Sequence, residues 1–268
     1  KKNKKFKIWD DNISVRNSLK KIYGTELFIK PTIKNLKYFK GIFVSPGISV
    51  RKKIFQTKNK SYKVYRDLNL YSNNLENQKI IAVTGTNGKS TTTKLIGDIL
   101  KENNIKSFVG GNIGKPLCDV FLKNKKYNYH VIELSSFQLE TIKNFKADIS
   151  IITNLSSDHL DRYNNITDYI NQKKNIITKI GMNLFSIDDK YSRNIFLQKK
   201  IKNKVCFSLQ DKSADFYIGE GYILDNYFKN GRKLFIKNIS DDLKEDFNNQ
   251  NILISYICSK LLRLKQKS

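Results

Sequence analysis

Short apolar runs bounded by polar turns alternate along the chain with stretches whose apolar positions recur at helical spacing. Phe6–Trp9, Glu26–Ile29, Gly41–Val44 and Tyr62–Tyr65 are predicted as strands, with a helix over Val15–Ile22. A second unit begins after about Asp67. It opens on a buried strand, Lys79–Val83, followed by a glycine loop and a helix over Lys89–Glu102. Further strands are predicted at Ser107–Val109, His130–Glu133, Asp148–Thr153, Asn183–Ile187 and Val205–Leu209, and a helix over Ile166–Thr178. Asn230-Gly231, lying between apolar runs, reads as a hairpin turn. The last helix, Asn249–Leu262, carries a stripe of Ile252, Leu253, Tyr256, Ile257 and Leu261. Strand–helix alternation of this kind indicates an α/β fold with a mainly parallel sheet. Two domains are expected, residues 1–67 and 68–268.

Ligands of such sheets bind at the carboxyl ends of the strands. Asp10, Asp11 and the turn Ser45-Pro46-Gly47-Ile48 follow predicted strands, so they are candidate ligand contacts, with turn formation as the other reading.

A chain of 268 residues can bury a core in each of two domains. No apolar run reaches the roughly 18 residues of a membrane span. No apolar stretch or small-residue cleavage site follows the basic start, so no secretory signal is predicted. Cys118, Cys206 and Cys258 are odd in number and far apart, which fits reduced thiols in a cytoplasmic protein better than a disulfide or zinc framework. The formal charge of +26 has two readings: a nucleic-acid stripe, or a solvated coat. The basic residues are mostly Lys and are dispersed, whereas base readout favours the arginine fork. We therefore expect neither a nucleic-acid nor a membrane partner, and a monomer.

The strongest chemical signal is Gly85-Thr86-Asn87-Gly88-Lys89-Ser90-Thr91, between a buried strand and a helix. Backbone N–H groups of such a loop, with the helix N-terminus, cradle phosphate oxygens. Lys89 would reach the terminal phosphates and Ser90 would ligate magnesium. Val83 stands where the strict phosphate-loop pattern has glycine. After the next strand, Gly110-Gly111-Asn112-Ile113-Gly114 can present N–H groups and the Asn112 amide to an anion, or can be a plain turn. Glu133 ends an apolar strand, where a carboxylate is costly unless it meets a cation such as magnesium. His159 is one of only two histidines and stands among Asp158, Asp161 and Arg162. Lys173 shares a helix face with Ile166, Ile170 and Ile177. In that stripe it is either desolvated, leaving a nucleophilic amine, or snorkels outward. Lys174 lies about 100° further round the helix, beside polar residues.

These motifs resemble the Mur ligases and their relatives the folylpolyglutamate synthases. The run Glu133-Leu134-Ser135-Ser136-Phe137-Gln138-Leu139-Glu140 and the Ser45-Pro46-Gly47-Ile48 turn point to the D-glutamate-adding branch of the Mur ligases. The resemblance implies a partial Rossmann-like domain for the UDP substrate followed by a central ATP-binding domain. It implies ATP-dependent addition of D-glutamate to UDP-N-acetylmuramoyl-L-alanine through an acyl phosphate. Catalytic roles fall on Lys89, His159 and Lys173, and magnesium contacts on Ser90, Glu133, His159 and a carbamylated Lys173. Substrate contacts fall on Asp10, Asp11, Ser45, Pro46, Gly47, Asn112 and Ser135, and the adenine side on Asn251. Before Asn248 the family has Gly-x-His-Asn, whereas this chain reads Glu245-Asp246-Phe247-Asn248, which puts the adenine contact in question. The family's opening strand and C-terminal domain have no counterpart here, so a partial form is expected. Other expectations kept open are a folylpolyglutamate synthase and a nucleotide-binding remnant without catalysis.

Overall fold

A computed structural model of the chain describes residues 6–56, 61–75, 78–122, 125–219, 221–228, 233–235 and 247–264. They divide into two compact units: residues up to Val44 together with Ile48–Tyr65, and Ser45–Gly47 together with Arg66 onward.

In the first unit, helix α1 (Ile13–Tyr23) starts at Asn12, whose side chain accepts from the N–H groups of Ser14 and Val15. That satisfies donors which a helix end otherwise leaves open. A short helix α2 (Ile33–Leu36) is capped reciprocally by Thr32 and Asn35. Strands β1 (Gly41–Phe43) and β2 (Lys63–Tyr65) pair in parallel, and Leu36, Val44, Phe55 and Tyr62 form the local core. The predicted strands at Phe6–Trp9 and Glu26–Ile29 do not form. They meet in a single parallel bridge, Ile8 with Phe28, and Thr25–Leu27 is a 3-10 turn. Neither segment joins the β1–β2 pair. A lone bridge with no further neighbour has too few ladder bonds to propagate.

The second unit is built on one sheet. Its strands are β3 (Lys79–Thr84), β4 (Ser107–Gly111), β5 (Tyr129–Glu133), β6 (Ile149–Ile152), β7 (Met182–Ser186), β8 (Lys204–Ser208), β9 (Phe216–Gly219), β10 (Tyr222–Asp225) and β11 (Lys233–Phe235). Their spatial order is β4-β5-β3-β6-β7-β8-β9-β10-β11. All pairs from β4 to β9 are parallel, and β9-β10-β11 are antiparallel. Asn230-Gly231, the predicted hairpin turn, lies outside the described residues, as do Glu245 and Asp246.

Both faces of the sheet are covered, which is why β3 reads as an unbroken apolar run. Ile81 and Val83 join the cluster of Ile96 and Leu100 on α4 (Lys89–Glu102) and Leu253 and Ile257 on α8 (Phe247–Leu261). Ile80 and Ala82, one residue out of phase, join the cluster of the opposite face. There Leu68 and Tyr71 come from α3 (Asp67–Asn73), Leu139 from α5 (Ser136–Leu139), Tyr169 and Ile170 from α6 (Ile166–Lys173), and Ile195 from α7 (Lys190–Phe196). Strand β3 has β5 on one side and β6 on the other, so the chain runs outward in both directions from it. The loops leaving these strands therefore crowd at one edge, where a doubly wound sheet opens a crevice.

Helix α6 is shorter than predicted. It ends at Lys173, passes through a 3-10 turn over Lys174–Ile176, and is extended by Ile177. Asn183 causes the stop. Its side chain accepts from Thr178 N and donates to Thr178 O, taking the backbone groups that a continuing helix needs. No helix among the described residues is long and apolar enough to cross a membrane.

Ile151 on β6 is 0% exposed, so Ile151→Ala is expected to cost about 2–5 kcal/mol through lost burial and a cavity. Urea unfolding measures it, and a loss under about 1 kcal/mol would contradict a close-packed core at that strand.

Candidate active site

The loop after β3 is bent by two glycines and pinned from the exit of β6. Gly85 has φ 153, and a Cβ there would fall 1.9 Å from Thr153 Oγ1. Gly88, the N-cap of α4, has φ 78 in the left-handed region, where a side chain is strained. Thr86 N donates to Asn154 O, Asn87 N to Asn154 Oδ1 at 2.9 Å, and Thr153 Oγ1 to Asn87 O at 2.6 Å. Helix α4 thus starts from a fixed loop, with Ser90 exposed in its first turn. An anion there meets oriented N–H groups and the positive end of the helix.

Asn251, predicted on the adenine side, lies against the start of α4. It is 2% exposed, its Oδ1 accepts from Thr92 Oγ1 at 3.0 Å, and its amide donates to Asn248. A Cβ on Gly88 would lie 2.4 Å from the same Oδ1. Asn251 therefore fastens α8 beneath the loop. A buried amide must bond to what surrounds it, and here that is protein.

Two lysines close over the loop. Lys89 Nζ donates to Gly85 O at 3.0 Å and Thr86 O at 2.7 Å. Lys173 Nζ donates to the same Gly85 carbonyl at 2.7 Å and to Thr84 Oγ1 at 3.3 Å. The stripe position of Lys173 is thus buried, at 2% exposure, and does not snorkel. Burial first, and then the charge of Lys89, push the Lys173 amine down from 10.5 to about 7, while Asp158 and Glu133 oppose the shift. Burial also lowers Lys89, against the pull of Glu133 and Asp158.

Glu133, 2% exposed at the end of β5, accepts from the Asn112 amide at 3.0 Å. Asn112 N also donates to Glu133 O, so the loop after β4 is tied to the end of β5. Ser135 caps α5 reciprocally with Gln138. Lys89, Asn112, Ser135, His159 and Lys173 line one cavity of about 270 Å³, together with Ser136, Phe137, Asp158 and Tyr169. His159 sits at φ 52, a left-handed conformation uncommon outside glycine, and its Nε2 lies 3.4 Å from Asp158 Oδ2. Its ring packs against Phe137, centroids 4.9 Å apart. Among the described residues no group of three His, Cys, Asp or Glu is placed to hold a metal ion.

Of the other predicted contacts, Asp10 and Asp11 belong to the first unit and Ser45, Pro46 and Gly47 to the second. Asp10 accepts from Asn12 N and Asp11 from Trp9 Nε1, so both carboxylates shape the turn before α1 in the first unit. Ser45 and Gly47 give their carbonyls to Arg66 and Arg162, with Pro46 between them. His130 is buried inside β5, bonded to the Tyr71 hydroxyl at 2.7 Å and pushed down by burial to about 4. It is a neutral core residue.

The sequence model of the Mur ligase middle domain matches residues 83–258. The chain belongs to the Mur ligase family. Mur ligases of Rickettsia are similar along nearly its whole length. The UDP-N-acetylmuramoylalanine–D-glutamate ligase of Rickettsia prowazekii (strain Madrid E) is 31% identical over 265 residues, covering 97% of this chain and 58% of the relative. The enzyme of the same name from Rickettsia bellii is 34% identical, covering 96% and 58%. The chain thus spans 58% of the length of these relatives. Solved Mur ligases share the fold. The UDP-N-acetylmuramate–alanine ligase of Thermotoga maritima superposes with a TM-score of 0.54 at 20% identity, covering 94% of this chain and 58% of that one.

Sequence reasoning did not assign Tyr169 or Phe137 to the site. Tyr169 is 0% exposed, its hydroxyl lies 3.2 Å from Thr86 Oγ1, and Lys173 Nζ lies over its ring. Its position one helical turn before Lys173 was the available signal.

A lysine whose folded pKa is depressed leaves the folded state with fewer protons than the unfolded state between about pH 7 and 10.5. Stability relative to a variant lacking that amine therefore rises with pH across the window, and the cost is fully present below it. Urea unfolding of wild type and Lys173→Met should show the gap closing as pH rises from below 7 towards 10.5. A gap independent of pH would mean that the amine is not desolvated.

Proposed function

We propose that this chain is the nucleotide-binding part of an ATP-dependent amide ligase that joins D-glutamate to UDP-N-acetylmuramoyl-L-alanine in peptidoglycan synthesis. The observation that carries the reading is the meeting of Lys89, Asn112, Ser135, His159 and Lys173 around one cavity beside the loop after β3. Among the described residues the two ammonium groups donate to backbone carbonyls and a threonine hydroxyl, which leaves their charge to a polyanion.

ATP would lie with its phosphates on Gly85–Thr91 and its terminal phosphate toward Lys89. Magnesium keeps phosphate oxygens and water as most of its ligands and needs few protein carboxylates. One buried carboxylate (Glu133), an exposed hydroxyl (Ser90) and an imidazole (His159) fit that demand without a three-carboxylate cluster. Lys173 would join them as a carbamate, formed when its neutral amine adds carbon dioxide and loses a proton. When bound, the ion neutralises charge on the transferring phosphoryl group. The alanyl carboxylate attacks the γ-phosphorus and ADP leaves, giving an acyl phosphate. The amine of D-glutamate then attacks the acyl carbon, phosphate leaves, and the nitrogen loses a proton. Lys89 supplies fixed positive charge, while Asn112 and Ser135 orient the substrate. Catalysis of this kind is positioning and charge neutralisation.

The UDP moiety is assigned to Asp10 and Asp11 in a partial Rossmann-like domain, residues 1–67, and to Ser45, Pro46 and Gly47; ATP is assigned to residues 68–268. The protein is read as a cytoplasmic monomer without a nucleic-acid partner.

Calorimetry with magnesium and a non-hydrolysable ATP analogue tests the phosphate site. Lys89→Ala is expected to weaken binding by about a hundredfold, near 2.7 kcal/mol. Unchanged affinity would remove the loop from the reading. Carbon-13 bicarbonate gives a separate check: a carbamate carbon resonance is expected in the wild type and lost in Lys173→Met. Its absence from the wild type would sink the modified-lysine part alone.

A further inference from the structure

Two guanidinium groups hold the Ser45–Gly47 turn. Arg66 Nη1 donates to Ser45 O at 2.6 Å and Arg162 Nη1 to Gly47 O at 3.2 Å. A single carboxylate serves both arginines. Glu140 Oε2 lies 2.6 Å from Arg66 Nη2 and 3.6 Å from Arg162 Nη2, and its side chain is only 3% exposed. Two cations beside one buried anion repel each other once that anion is neutralised. Burial pushes the Arg162 guanidinium down, the charge of Glu140 opposes that shift and the charge of Arg66 adds to it. Arg66 has no exposed surface, whereas the Arg162 side chain is 11% exposed, so loss of the carboxylate releases Arg162 first.

Arg162 also reaches the cavity. Its guanidinium carbon lies 3.7 Å from the centroid of Phe137, and the Phe137 ring packs on His159. A planar fork can stack on a ring and still donate in its own plane, which a lysine cannot do. One side chain therefore touches the turn at Gly47 and the cavity wall at Phe137. A carbonyl fixed by a guanidinium also fixes its whole peptide plane, here Gly47–Ile48, because the peptide is rigid.

We propose that Arg162, held by Glu140, is a positioning residue that keeps the Ser45–Gly47 turn in register with the cavity, so that a diphosphate-bearing substrate seated on the turn delivers its carboxylate end to Lys89. This rests on the functional reading above, which assigns the diphosphate to the turn. The arrangement separates two affinities. ATP is assigned to a loop pinned by Thr153 and Asn154, whereas the UDP substrate is assigned to the turn that Arg162 holds.

The test is calorimetry on the 268-residue chain with UDP-N-acetylmuramoyl-L-alanine and, separately, with magnesium and a non-hydrolysable ATP analogue. Glu140→Gln and Arg162→Ala are each expected to weaken the UDP substrate by about tenfold while changing the ATP analogue by less than about twofold. Added guanidinium ion at non-denaturing concentration restores Arg162→Ala and not Glu140→Gln, because only the first leaves a guanidinium-shaped vacancy beside an intact carboxylate. Equal losses for both ligands would show a general structural role and overturn the proposal. So would wild-type affinity in both variants, or an Arg162→Ala defect that guanidinium leaves untouched. Wild-type chain that binds the ATP analogue but no UDP substrate overturns the proposal together with the substrate assignment. Wild-type chain that binds neither overturns the functional reading itself, a result distinct from a defect confined to the variants.

Discussion

Lys89 and Lys173 both donate to the carbonyl of Gly85, and the geometry of the second unit is arranged around that convergence. Two ammonium groups on one acceptor are tolerable only where further partners share the load. Here Thr86 O, Thr84 Oγ1 and the face of the Tyr169 ring do so, with Glu133 and Asp158 adding opposite charge. Burial makes the arrangement costly for the deeper amine, which is why Lys173 falls to about 7 while it stays hydrogen-bonded. Lys89 belongs to α4 and Lys173 to α6, on opposite faces of the sheet, so the shared carbonyl fastens both layers to the loop.

The sheet makes that convergence possible. Strand β3 lies between β5 and β6, so the loop after it is flanked by the ends of two strands that are distant in sequence. The β6 exit holds the loop backbone through Thr153 and Asn154, and the β5 exit brings Ser135 to the cavity and the charge of Glu133 to the two lysines. The mainly parallel order leaves every one of these exits at the same edge, so the charged groups meet without any strand bending. Behind them, the Arg66–Glu140–Arg162 group carries the Ser45–Gly47 turn on the same scaffold.

Periodicity made much of this legible. The glycine loop, helix α4 and all the strands predicted after Asp67 follow from runs and spacings that are local, whereas for Lys173 the spacing left burial and snorkelling open. The errors have non-local causes. The expected strands at Phe6–Trp9 and Glu26–Ile29 meet only in one bridge, Ile8 with Phe28, and do not extend into a ladder. The end of α6 was set by Asn183, which captures the backbone of Thr178 from the following strand.

The sequence by itself determined which segments bury one face or two, where the backbone must turn at glycine, and which ionisable groups end strands or interrupt apolar stripes. These are properties of a residue and its near neighbours, fixed by hydrophobic spacing and backbone sterics. Tertiary structure alone decided which strand exits are adjacent, that two lysines share one carbonyl, and that a phenylalanine, a tyrosine and two arginines support the site. Those facts depend on the order of strands in the sheet, and the free energy that selects that order comes from packing between residues far apart in the chain.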